Sequence, residues 1–201
     1  MERATTVALC DDHEIYRREL MTALERDVEI QVVAEADIPS QLGPVINDHP
    51  PKIVVVDLTP IQGDPLEIIS TLRDLMPISA VLAVGGPNDE LAPALLAGAN
   101  GAVDKNVAIR LGPKIVKTLV RGHLFVDQRA AQSLLRTINS HPRRSSIPAR
   151  QVDLVDRLSS VESIADITGD ALAEAAMERE LFALLVSLRG VRANSSSGSL
   201  S

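Results

Sequence analysis

Asp11 and Asp12 stand side by side at the end of one apolar run, TVALC, and Asp57 ends a second, KIVVVD. Lys105 directly follows a third, GAVD. Carboxylates crowded into one pocket resist ionising together unless a cation joins them. Mg²⁺ is the natural candidate, because it favours hard oxygen ligands and keeps several waters beside one or two carboxylates and a phosphoryl oxygen. An ammonium across the same pocket is suited to neutralising a transferred phosphoryl group. Each residue taken alone has a plainer role. An aspartate at a strand end commonly caps a turn or helix, as Asp12 would ahead of HEIYRREL, and a lysine there is most often a surface charge. The conjunction of two acids, a third acid and a lysine at successive strand ends favours chemistry.

Such a pocket needs elements that bring those strand ends together. Over the first 125 residues, short apolar runs alternate with amphipathic stretches. The strands expected are 6–10, 30–36, 53–57, 80–84 and 101–103, and the helices 13–27, 39–48, 64–75, 88–98 and 107–122. The first, third and fourth runs are nearly continuously apolar, as suits strands covered on both faces of a parallel sheet. Five βα units imply an α/β fold, a doubly wound parallel sheet in the order 2-1-3-4-5. In that order strands 1 and 3 are neighbours, and ligands bind outside their carboxyl ends. Pro93 and Pro113 fall inside expected helices and predict late starts or kinks there.

Residues 140–148, SHPRRSSIP, break the periodicity and read as an interdomain linker. Three helices are expected beyond it, the last long, with Leu181, Leu184, Leu185 and Leu188 on one side. The expected organisation is therefore a domain over 1–125, a connecting segment and linker over 126–148, and a small all-α domain over 149–193. Residues 194–201 read as a disordered polar tail. With one Tyr, two Phe and no Trp, the core must be aliphatic. Cys10, the lone cysteine, excludes a disulfide framework and a cysteine zinc cluster. No run suits a signal peptide or a spanning helix, so a soluble cytoplasmic protein with no membrane association is expected. The net charge of −7 argues against broad non-specific nucleic-acid binding. Only residues 126–147 are basic, with four arginines against one acid.

CDDHEIYRREL, VVVDLTPIQGDPLEIISTLRDLMP, LLAGANGAVDKN and RGHLFVDQRAAQSLL together resemble the bacterial two-component response regulators of the NarL/FixJ type, over roughly residues 5–135. The resemblance implies a flavodoxin-like receiver and no enzyme. It makes Asp57 the phosphoacceptor, Asp11 and Asp12 the acidic Mg²⁺ pair, the Thr59 carbonyl a main-chain metal ligand and Lys105 the phosphate contact. It implies attack of the Asp57 carboxylate on phosphorus to give an aspartyl phosphate, and a sensor histidine kinase as partner.

The sequence departs from that family at its switch. The family places a Ser or Thr at the end of strand 4 and an aromatic three residues before the lysine, where this chain has Ala83 and Ala102. An alanine methyl donates no hydrogen bond. Gly85, Gly86 and Pro87 follow Ala83, and the usual Met-Pro beyond the acceptor is replaced by Pro60 and Ile61. The acceptor is retained while the coupling to the rest of the protein is lost or rerouted.

The last third resembles, weakly, a LuxR-type helix-turn-helix: PARQVDLVDRL, ESIADITG, and ALLVSLRGVR at the end of the third helix. Its expected reading helix has Asp170, Glu174, Glu178 and Glu180 against Arg179, whereas base readout relies on Arg, Lys, Asn or Gln. Arg179, Arg189 and Arg192 are the candidate DNA contacts. The leading expectation is an atypical transcriptional regulator that binds DNA as a homodimer. The alternative is a receiver-like module that acts through protein contacts and no longer binds DNA. A hydrolase ranks last, since no second general acid is in evidence.

Overall fold

A computed structural model describes residues 4–38, 40–42, 49–59, 64–89, 91–161 and 171–195, with backbone alone for 65, 66, 171, 172 and 190–195. The strands are β1 (Thr5–Cys10), β2 (Ile30–Ala36), β3 (Ile53–Asp57), β4 (Ala80–Gly85), β5 (Gly101–Asp104) and β6 (Phe125–Val126). The helices are α1 (Glu14–Leu24), α2 (Pro65–Leu75), α3 (Ala92–Ala97), α4 (Lys105–Val120), α5 (Gln128–Ser140), α6 (Ala149–Leu158) and α7 (Ala171–Ser195), with a 3₁₀ turn at Arg144–Ser146. All strands pair in parallel in the order β2-β1-β3-β4-β5-β6.

Alternation along the strands sorts the core into two layers. Val7, Leu9, Ile53, Val55, Leu82, Val84 and Val103 face α1 and α4. Ala8, Cys10, Val54, Val56, Val81, Ala83 and Ala102 face the other way, into one cluster with residues of α2, α3, α5, α6 and α7. Burial of Cys10 pushes its thiol up to about 12, which makes it core filler.

The sheet has six strands where five are expected. Phe125 and Val126 pair with Gly101 and Ala102, and a β-carbon on Gly101 would stand 2.9 Å from the Phe125 carbonyl oxygen. The missing side chain thus admits a strand too short to show a period. Behind it, residues expected to be a connecting segment form α5, started by the Asp127 side chain accepting from the Ala130 N–H at 2.8 Å. Ala130, Ala131, Leu134 and Ile138 of α5 are fully buried.

Helix α3 starts late, with Pro93 in its first turn, where the missing N–H costs nothing. Helix α4 runs unbroken through Pro113, held by the buried row Ile115, Val116 and Leu119. The helix expected over 39–48 falls mostly outside the described residues, as do Pro60, Ile61 and the second C-terminal helix over 162–169. Helix α7 continues to Ser195, so the first residues of the expected disordered tail are helical. Among the described residues, no helix is long and apolar enough to cross a membrane.

Helices α6 and α7 pack on the body of the protein. Leu181, Leu184, Leu185 and Leu188 are at most 3% exposed and join the cluster that holds Ala83 and Leu95, so the leucine stripe is core. Polar contacts fix the docking: Arg189 donates to the Leu95 carbonyl at 2.6 Å, His123 meets Glu178 at 2.7 Å, and Arg150 pairs with Glu180 at 3.1 Å. Leu184→Ala is therefore expected to remove about 2–5 kcal/mol, the usual range for a buried leucine. A lowered urea midpoint of the whole chain would report it.

Candidate functional site

Strands β1 and β3 are hydrogen-bonded neighbours with Cys10 opposite Val56, so the residues at their carboxyl ends meet. Asp11 is 4% and Asp57 8% exposed. Lys105 opens α4 at the end of β5 and reaches back over the sheet, placing Nζ 2.7 Å from Asp57 Oδ2 and 3.0 Å from Asp11 Oδ2. The second contact is an ion pair without hydrogen-bond alignment, since Asp11 Oδ2 has no hydrogen-bonding partner. The Lys105 ammonium also lies 4.5 Å from the centre of the Tyr16 ring. The Tyr16 hydroxyl donates to the Lys105 carbonyl at 3.2 Å.

Burial, and then the neighbouring charge of Asp57, raise the Asp11 carboxyl above its ordinary range, against the opposing pull of Lys105. Burial pulls the Lys105 ammonium down, but its hydrogen bond to Asp57 and its close pairing with Asp11 outweigh that and hold it above its ordinary value. The lysine therefore stays charged and offsets one of the two negative charges that the buried acids can carry.

Asp11, Asp12, His13 and Asp57 each offer an atom within 4.8 Å of the others. The donor set suits a hard divalent cation such as Mg²⁺. It has three carboxylates, two of them with a buried oxygen that no hydrogen bond satisfies, and one carboxyl raised by burial and by its like-charged neighbour. Beside it opens a cleft of about 310 Å³ lined by Asp12, Asp37, Asp57, Thr59, Asp64 and Glu67 among others.

The sequence-derived residues Asp11, Asp12, Asp57 and Lys105 converge. Thr59 joins them by groups other than its carbonyl: its N–H and its hydroxyl both lie 3.0 Å from Asp57 Oδ1. Ala83 and Ala102 are fully buried and paired across β4 and β5. Of the candidate DNA contacts, Arg179 is exposed, Arg189 is turned inward onto α3, and the Arg192 side chain lies outside the described residues.

Sequence reasoning missed His13, Asp89 and Arg129. His13 Nδ1 sits 3.0 Å from Asp12 and 3.7 Å from Asp57, a placement that its position beside the acidic pair could have suggested. Asp89 Oδ2 lies 3.1 Å from the Thr59 hydroxyl and accepts from the Gly86 N–H at 2.6 Å. Arg129 donates to the Pro87 carbonyl at 2.8 Å and pairs with Asp104. These contacts join loops far apart in the chain, and no spacing announces them.

Removing the lysine tests the charge balance. Lys105→Met leaves Asp11 and Asp57 buried together without a counter-charge, an expected loss of about 3–5 kcal/mol at neutral pH. With the Asp11 carboxyl raised in the folded state above its ordinary value near 3.8, the folded state holds more protons than the unfolded one just above that pH. Stability of the variant should therefore fall as pH rises from about 4, a trend that urea unfolding at pH 4.5 and 7 would measure.

No family model matches the chain. It is 32% identical over 131 residues to the DNA-binding transcriptional activator DevR/DosR of Mycobacterium tuberculosis, across 64% of this chain and 60% of that protein. The chain thus spans less than two thirds of that relative's length. A two-component response regulator of the LuxR family from Aurantimonas sp. SI85-9A1 superposes with a TM-score of 0.58 at 25% identity, covering 66% of this chain and 96% of that one. The response regulator RcsB of Salmonella typhimurium matches the fold over 94% of this chain and 93% of its own, with a TM-score of 0.60 at 17% identity. In its parallel sheet, with acids and a lysine gathered at the strand ends, this chain is similar to the response regulators of the NarL/FixJ type.

Proposed function

We propose that this protein is an atypical response regulator of transcription in which Asp57 is a Mg²⁺-dependent phosphoacceptor. The observation that supports this most is the Asp57 carboxylate held 2.7 Å from Lys105 with Asp11, Asp12 and His13 within 4.8 Å. In the reaction, an Asp57 oxygen attacks phosphorus and the bond to the donor's leaving group breaks, with the leaving group keeping its electron pair. The product is an aspartyl phosphate. Mg²⁺ held by Asp11, Asp12 and Asp57, with the Thr59 carbonyl, would neutralise phosphoryl charge. Lys105 passes from the carboxylates to a phosphoryl oxygen, and the Thr59 N–H is already directed at Asp57. A sensor histidine kinase is the physiological donor that fits, in the cytoplasm.

The output is DNA binding as a homodimer. Arg179 is exposed for phosphate contact, while Arg189 becomes available only when α7 leaves α3. A specific observation favours the alternative, a module acting through protein contacts. Glu178 and Glu180 of α7 are engaged within the chain, and Phe182 and Val186 on the same helix are 54% and 48% exposed. A homodimer would need that outer side or another surface, because the leucine stripe is buried.

A small phosphodonor such as acetyl phosphate should label the wild type only with Mg²⁺ present and leave Asp57→Asn unlabelled, with little change in oligomeric state. Labelling that survives the substitution would refute the acceptor assignment. Salt-sensitive retention of promoter DNA, in preference to random sequence, is expected of a transcriptional regulator. Equal and negligible retention of both would leave the protein-contact reading.

A further inference from the structure

We infer that Thr59, Asp89 and Arg129 form a relay that stands in for the missing hydroxyl and aromatic of the switch, with Asp89 and Arg129 as positioning residues. The inference rests on Asp57 being the phosphoacceptor. The Thr59 hydroxyl lies 3.0 Å from Asp57 Oδ1 and 3.1 Å from Asp89 Oδ2. It has one proton to donate, so the two carboxylates compete for it.

The loop after β4 is built around Asp89. Its Oδ2 takes the Gly86 N–H at 2.6 Å, and a β-carbon on Gly85 would lie 3.0 Å from Asp89 Cβ and 2.9 Å from Leu91 Cδ2. Two glycines therefore make the room that Asp89 fills, and its carboxylate moves with the loop. Arg129 holds that loop from the far side through the Pro87 carbonyl at 2.8 Å and the Asp89 carbonyl at 3.4 Å. The same guanidinium pairs with Asp104, the residue before Lys105, while Asp127 accepts the Asp104 N–H at 2.7 Å. The start of α5 is thus tied to the ends of β4, which adjoins the acceptor strand, and of β5 beyond it.

A phosphoryl group on Asp57 adds about −1.5 to −2 charge and new acceptor oxygens. It takes the Thr59 proton and repels Asp89, which shifts the Gly85–Asp89 loop and, through Arg129, the first turn of α5. That helix accepts the Ala92 N–H on Ser133 at 3.0 Å, and its Leu134 and Ile138 share a cluster with α6 and α7. The signal leaves the acceptor by a polar route over the top of the sheet, where the family's own route would pass through positions 83 and 102.

The full chain with Mg²⁺ and beryllium fluoride, an inorganic phosphoryl mimic, tests this. Fluorine resonances report occupancy of Asp57, and hydrogen exchange reports the loop and α5. In the wild type, a bound fluorine signal should appear together with severalfold faster exchange in the Gly85–Asp89 loop and the first turn of α5. Asp89→Ala and Arg129→Gln should keep the bound signal and lose the change in α5. An α5 response of wild-type size in both variants, or no response in the wild type despite a bound signal, overturns the relay alone. Absence of any bound signal in the wild type overturns the acceptor reading and the relay with it.

Discussion

The ammonium of Lys105 between Asp57 and Asp11 is the interaction on which the rest of this structure depends. Two acids buried at the end of a parallel sheet would strongly destabilise the fold if ionised alone. Lys105 reaches them because β5 ends at Asp104 and α4 begins at the next residue, with Asp104 accepting from the Asn106 N–H to start the helix. The hydrogen bonds from Asn106 and Arg129 outweigh burial and keep the Asp104 carboxyl below its ordinary range. The lysine that sits over the buried acids is thus also what lets them be buried.

The opposite face of the sheet is governed by small side chains. Ala83 and Ala102 leave little standing above β4 and β5 on that face, and α5 closes over that region. Helix α5 then offers Leu134 and Ile138 to the last two helices. Ala83 and Ala102 lie in the same cluster as the docked C-terminal helices. Glu178 and Glu180, which look on paper like charges that repel DNA, are partners of His123 and Arg150.

The pocket of acids was legible because strand ends in a parallel sheet are fixed by the apolar runs themselves. Once TVALC and KIVVVD are strands, Asp11, Asp12 and Asp57 follow. The leucines of α7 were legible as a stripe, but only packing decides whether a stripe is core or interface. Strand β6 was illegible, since two residues display no period and its place depends on an absent side chain at Gly101. Asp89 and Arg129 were illegible for a related reason. Their roles come from contacts across some 30 and 40 residues of chain, between a loop and a distant loop or helix start, which no repeat in the sequence announces.

The shared cluster beneath α5 changes what counts as a separable piece of this chain. A boundary drawn at residue 125, where the sequence suggests one, would strip the body of Ala130, Leu134 and Ile138 and of the Arg129 fork. A cut after α5 would leave those two large side chains and the α3 surface around Leu95 wetted. In physical terms the sheet and the last helices have no seam between them: they share one solvent-excluded cluster, and whatever loosens the last helix loosens the ground beneath Asp57.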